Sequence, residues 1–319
     1  LAALQVITAI ILAFWAPGFH TITSEKDEEA LKNARQSIPA SLMDALDKAA
    51  TQRHLLVATD FDGTLAPLVR NPRKAAPIPG SLEALDTLAT IPHTKAAIVS
   101  GRDIAGLRKV APVTRDVTLV GSHGAEISDS DHELTKHQRD LLKRLIEEVT
   151  QTADSIPGAT IEEKKYAVVL HTRTAQDPHE AKKRTVELEE RLSAVPGVTL
   201  TRGKKVSEFA VINTTKDAAL ASLAARWPTG ADAILYLGDD VTDEHIFTGL
   251  PARITTPQTE IITVKVGEGD TAAQYRIANE LEAAAVLDYL CEQRNHYANA
   301  HFTWKDRKQH PVSRSPHGL

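Results

Sequence analysis

Short apolar runs separated by helical stretches set the narrowest limit on how this chain can fold. "LLVAT" (Leu55–Thr59), "KAAIV" (Lys95–Val99), "VTLVG" (Val117–Gly121), "AILYLG" (Ala233–Gly238) and "IITVKVG" (Ile261–Gly267) have the length of strands. Between them lie "GSLEALDTLATI", "IAGLRKVA" and "TKDAALASLAARW", with apolar positions at helical spacing. Strands that are apolar on both sides, alternating with helices, predict a parallel sheet covered on both faces. From Glu126 to about Val211 the rhythm changes. A helix ("HQRDLLKRLIEEVTQTA") leads to a hairpin ("ATIEEKKYAVVLHTR"). A second helix ("PHEAKKRTVELEERLSAV") leads to a second hairpin ("GVTLTRGKKVSEFAV"), expected to turn at Arg202–Gly203. The reading is an α/β fold, with a doubly wound, Rossmann-like parallel-sheet core interrupted by an inserted α+β cap domain. The core is expected to span residues 45–122 and 213–290, and the cap 123–212.

The flanks read differently. Residues 1–44 form an apolar segment followed by helices over "TSEKDEEALKNARQ" and "PASLMDALDKAATQ". The opening "LAALQVITAIILAFWAP" is apolar up to Pro17, yet no Lys or Arg precedes Lys26, and it barely reaches the ~17 residues of a membrane span. Membrane attachment is therefore not expected. Residues 291–319 are polar and His-rich, which predicts a disordered tail. The net charge of −5 excludes a strong nucleic-acid footprint. One cysteine, Cys291, excludes an intrachain disulfide and fits a reducing cytosol, so a cytoplasmic protein is expected.

The chemistry lies where the strands end. In open α/β sheets, ligands bind beyond the C-terminal ends of the strands. "LLVATDFDGTL" brings Asp60 and Asp62 to that rim, "IVSGRD" brings Ser100, and "YLGDDVTDE" brings Asp239, Asp240 and Asp243. Lys216 opens the helix before the last acidic strand. Clustered carboxylates repel one another unless a cation neutralises them. A hard divalent ion such as Mg2+ takes oxygen ligands and leaves room for a phosphate oxygen. Asp60 and Asp239 are the expected carboxylate ligands, with the Asp62 backbone carbonyl as a third. Asp60 could then attack phosphorus, with Lys216 lowering the repulsion. Asp62 could protonate the leaving alcohol and later deprotonate water. Ser100 and the N–H groups around Asp62–Gly63 could hold the phosphoryl oxygens.

"DFDGTL", "VSGR", Lys216 and "GDDVTDE", in this order, resemble the motifs of the haloacid dehalogenase superfamily of aspartate-nucleophile phosphatases. "GSHGAE", "IEEKKYAVVLHTR", "GKKVSEF" and "VKVGEGDTAAQY" narrow the resemblance to trehalose-6-phosphate phosphatases, over roughly residues 45–290. The resemblance implies a Mg2+-dependent hydrolysis of trehalose 6-phosphate through an aspartyl-phosphate, a functional link to a trehalose-6-phosphate synthase, and a monomer. It makes Asp60 the nucleophile and a ligand, Asp62 the acid/base, and Asp239 a ligand. Gly63, Ser100, Gly101, Arg102 and Lys216 would hold phosphate, and Asp240 and Asp243 would support the metal shell or orient Lys216. His123, Glu126, Lys164, His171, Arg173 and Glu208 would read the sugar. A phosphatase for sucrose or glucosylglycerate phosphate would carry the same motifs. A non-catalytic phosphosugar-binding module would not need both Asp60 and Asp62. Two departures stand out: Asp217 follows Lys216 where the family has glycine, and Ala210–Val211 replace a proline and a basic residue.

Overall fold

The computed structural model describes residues 25–129, 133–212, 214–256 and 258–303. The apolar opening and residues 304–319 lie outside these ranges. Two helices come first, α1 (Glu25–Gln36) and α2 (Ala40–Ala50). The core follows as β1 (Leu55–Thr59), α3 (Ser81–Thr90), β2 (Thr94–Val99), α4 (Ile104–Val110), β3 (Val117–Gly121) and the short β4 (Glu126–Ile127). The insert is α5 (Lys136–Asp154), β5 (Thr160–Glu163), β6 (Ala167–His171), α6 (Pro178–Ser193), β7 (Thr199–Gly203) and β8 (Val206–Ala210). The chain then returns to the core as α7 (Lys216–Ala224), β9 (Ala233–Gly238), α8 (Val241–Arg253), β10 (Glu260–Val266), β11 (Tyr275–Ile277) and α9 (Glu280–His301).

The main sheet has seven strands in the order β11-β10-β9-β1-β2-β3-β4. Its pairs are parallel except β3 with β4. β1 is central, and every residue of it is buried. Because strand side chains alternate, Leu55 and Val57 enter the core under α3 and α9, while Leu56 and Ala58 enter the one under α7 and α8. Covering both faces is what allows an unbroken apolar strand, and it leaves the strand ends as the place for polar groups.

The insert folds as a separate antiparallel sheet, β5-β6-β8-β7, with its own hydrophobic core under α5 and α6. The second hairpin turns at Lys204–Lys205, two residues beyond the expected Arg202–Gly203, with Lys205 at φ +64°. A larger correction concerns the tail. Residues 291–301 are not disordered but complete α9. Arg294 is fully buried there. It donates to Thr94 Oγ1 (2.9 Å) and to the carbonyls of Ala50, Gln52, Arg53 and His93. Polarity hid this helix, because its arginine faces inward and caps the ends of neighbouring elements.

Candidate active site

Three strand ends and one helix start meet at the C-terminal rim of the main sheet. β1 delivers Asp60, whose N–H donates to Leu237 O on β9 at 2.8 Å. The next turn is tight. Gly63 sits at φ +84°, and a Cβ there would lie 2.1 Å from Asp239 Oδ2, so only glycine lets the two loops approach. Its N–H donates to Ala66 O at 2.7 Å. That group is therefore spent within the loop, and Gly63 shapes the site rather than holding phosphate through its N–H.

Lys216 is buried at the start of α7, and its Nζ donates to Asp60 Oδ1 (2.7 Å) and Asp243 Oδ1 (2.9 Å). Asp243 Oδ1 also accepts from Tyr236 Oη (2.7 Å), and its Oδ2 accepts from the N–H groups of Asp239 and Asp240 (3.0 and 3.1 Å). Asp240 caps α8 in return, accepting from Thr242 N and Asp243 N. Oxygens of Asp60, Asp239 and Asp243 lie within 4.8 Å of one another. Asp243 is already saturated by its four donors, so it aims Lys216 and the β9–α8 turn instead of offering a ligand. Asp60 and Asp239 remain as the carboxylates for a cation.

The electrostatics point the same way. Burial pushes the Asp60 carboxyl well above the usual range, more than Lys216 draws it down. Burial, then Asp243 and Asp240, push Asp239 up to about 7. Burial opposes the charge on Lys216, but Asp60 and Asp243 outweigh it and raise its pKa. Lys265 on β10 donates to the Asp239 carbonyl. Four carboxylates (Asp60, Asp239, Asp240, Asp243) thus face two ammonium groups (Lys216, Lys265). Carboxyls that resist ionising together fit a site completed by one hard divalent cation.

Asp62 is gripped by Arg102, with Nε to Oδ2 at 2.6 Å and Nη2 to Oδ1 at 2.5 Å. Arg102, expected on the phosphate, is therefore committed to the acid/base candidate. Ser100 is buried, its N–H bonded to Val120 O and its Oγ accepting from Arg102 N (3.2 Å). The His123 ring fills the space where Gly101 has no side chain, 2.7 Å from a Cβ placed there. Ser122 and His123 both have positive φ (50° and 54°), a strained turn of the kind found at functional sites. Glu126 is buried and accepts from Ser122 Oγ (2.6 Å) and Ile104 N (3.4 Å). It braces this turn against α4 rather than lining an open sugar surface.

On the insert, Lys164 Nζ donates to Glu208 Oε2 at 2.6 Å, and both side chains are largely buried. His123 has its pKa lowered by burial and then by Lys216, with further influence from Glu208, Lys164 and Asp240. The charges of Lys216 and Asp240 on the core and of Lys164 and Glu208 on the insert thus all reach His123. Glu208 pairs in register with Val169, and His171 lies two residues along β6, roughly 7 Å further out. His171 bonds to Glu162 (3.0 Å), and Arg173 is exposed beyond it. Lys164 and Glu208 thus form a buried pair on the insert, whereas His171 bonds to Glu162 and Arg173 is exposed.

This constellation coincides with a family match. Residues 58–280 match the sequence profile of the trehalose-phosphatase family. The chain belongs to the trehalose-phosphatase family. A trehalose-phosphate phosphatase of Mycobacterium tuberculosis is 30% identical over 298 residues, 86% of this chain and 72% of the relative. A protein of the same species named as an uncharacterized glycosyl hydrolase is 33% identical over 257 residues, 76% of this chain. The chain spans only 19% of that relative's length. A solved structure of Aspergillus fumigatus trehalose-6-phosphate phosphatase superposes with a TM-score of 0.59 at 28% identity, covering 80% of this chain and 97% of the other. No helix among the described residues is long and apolar enough to cross a membrane.

Membership of the trehalose-phosphatase family does not by itself reveal two further residues of the site. Tyr236 lies inside β9 and reads as an ordinary strand residue; nothing in the sequence marks its bond to Asp243. Lys265 did leave a signal, as a lone lysine within the apolar run "IITVKVG". A buried lysine in such a strand needs an oxygen partner, and the acidic rim supplies one.

Proposed function

We propose that this chain hydrolyses trehalose 6-phosphate to trehalose and inorganic phosphate, with Mg2+ as its cofactor. The observation that carries the reading is Asp60, buried at the end of β1 and held by Lys216, with Asp62 two residues on and Asp239 beside it. Asp60, Asp239 and the Asp62 carbonyl would hold the ion, which supplies charge neutralisation at the phosphoryl oxygens.

The protein's own groups account for the rest. An Asp60 oxygen attacks phosphorus and forms an acyl phosphate while the ester P–O bond breaks. The leaving sugar oxygen takes a proton from Asp62. Water then attacks phosphorus, Asp62 takes its proton, and the Asp60–phosphorus bond breaks to restore the carboxylate. Arg102 aims the Asp62 carboxyl group with two hydrogen bonds. Proton donation in the first half requires Arg102 to release Asp62, and a phosphate dianion is a strong competing partner for a guanidinium. Lys164 and Glu208 supply the donors and acceptors that a sugar's hydroxyls need. Closure of the insert over the rim would exclude water. The reading includes a monomer in the cytosol, fed by a synthase that makes the sugar phosphate.

Phosphate release from a panel of sugar phosphates, with and without Mg2+, tests this. Trehalose 6-phosphate with Mg2+ should be the best substrate, chelation should stop the reaction, and Asp60→Asn should lower kcat by at least about a thousandfold. Near-normal activity in Asp60→Asn would sink the mechanism. Faster turnover of another sugar phosphate would sink the substrate assignment.

A further inference from the structure

The helix that carries Lys216 is short, its buried face is mostly alanine and leucine, and its first turn has no side-chain cap. α7 is nine residues long, and its buried Lys216, Ala219, Leu220, Leu223 and Ala224 fall at i, i+3, i+4, i+7 and i+8, one face turned to the core, with Asp217 at the edge of that face. A rotation of one residue, about 100°, would carry the lysine away from Asp60.

Asp217, the acid that breaks the family pattern, points to the other side. Its carboxylate accepts from Arg253 Nε at the C-terminal end of α8. The approach is close: a Cβ on Gly249 of α8 would come within 2.9 Å of Asp217 Oδ2. Neighbouring residues of α7 therefore grip α8 at its two ends. Lys216 takes Asp243 in the first turn, and Asp217 takes Arg253 in the last, roughly 15 Å away along the axis. Across from α8, a Cβ on Gly124 would meet the Thr215 carbonyl at 2.7 Å, so the start of α7 is wedged on that side as well. The buried face sets the rotation of α7 coarsely, and two separated points of attachment to α8 hold it more tightly than one would.

We propose that the Asp217–Arg253 ion pair is a positioning device, holding α7 in the rotation that presents Lys216 to Asp60 and to the phosphoryl group. This rests on the reading of the rim as a phosphatase centre. The Arg253 side chain is 46% exposed, so the pair adds little to overall stability. Its effect belongs in the kinetics.

Asp217→Asn and Arg253→Gln, singly and together, test it with p-nitrophenyl phosphate and with trehalose 6-phosphate. Each single variant should lose roughly tenfold to a hundredfold in kcat on both substrates. The inhibition constant of orthovanadate, which mimics the transferring phosphoryl group, should rise in parallel. The double variant should be no worse than either single one, as for one shared interaction. Arg253→Lys should recover part of the loss. Arg253 is exposed enough that its variants keep the test open if Asp217→Asn does not fold. Wild-type kcat in Arg253→Gln overturns the proposal, and so do losses that add in the double variant. A wild-type enzyme active on the aryl phosphate but not on trehalose 6-phosphate would refute the substrate assignment alone, and the comparison would then be made on the aryl phosphate.

Discussion

Asp239 shows how far a single residue's surroundings can set its chemistry. Burial and the charges of Asp243 and Asp240 push it up to about 7, against Lys265 and Lys216. A carboxyl raised above its unfolded value binds its proton more tightly in the folded chain. The ion-free protein therefore loses stability as pH rises from about 4 to about 7, and stays at the lower level above that. A bound divalent ion removes the repulsion that causes the loss. Mg2+ should accordingly raise the Tm more at about pH 8 than at about pH 5.5, and its apparent affinity should fall about tenfold per pH unit below about 7. A pH-independent Mg2+ shift in differential scanning fluorimetry would contradict this. The sequence exposed Asp60, Asp239 and Lys216 because each stands at a strand end or helix start with a motif around it. It did not expose which partner each polar group takes. Gly63, Arg102 and Glu126 were all legible as site residues, but their bonds to Ala66, Asp62 and Ser122 are set by a tight turn, by the approach of two loops 40 residues apart, and by a strained turn.

At the scale of elements, α9 shows the limits of reading polarity. Its last turns carry Gln293, Arg294, Asn295 and His296, a composition that suggests solvent. Arg294 instead lies fully buried, its pKa lowered by that burial to about 10, and it satisfies carbonyls at the end of α2 and around His93. Arg294→Leu should leave those carbonyls unpaired and cost about 3 kcal/mol in urea unfolding, with kcat per folded molecule unchanged. A loss below about 0.5 kcal/mol would mean that water replaces the guanidinium there. The helices and strands of the parallel core, by contrast, were legible as elements, since full burial on both sheet faces demands continuous apolar strands that local sequence displays.

For the whole molecule, the division of labour between the two sheets is the governing feature. The parallel sheet carries Asp60 and Asp239 at its rim, and the antiparallel sheet carries the Lys164–Glu208 pair, which the proposed function assigns to sugar recognition. Glu208→Ala should therefore lower kcat/KM for trehalose 6-phosphate about tenfold or more while changing p-nitrophenyl phosphate hydrolysis less than about twofold. Equal losses on both substrates would remove Glu208 from sugar recognition. By itself the sequence determined the α/β class, the insert and the acidic rim, because hydrophobic periodicity and strand-end motifs are local properties of the chain. Only the tertiary structure showed that, of the two roles open to Asp243, its oxygens are taken up by Lys216, Tyr236 and the turn, that Arg102 grips Asp62, and that Asp217 pairs with Arg253. The physical reason is that a charge or a hydrogen-bond donor must find its partner in space, and these partners are brought together by packing, most of them from positions that the sequence places tens of residues apart.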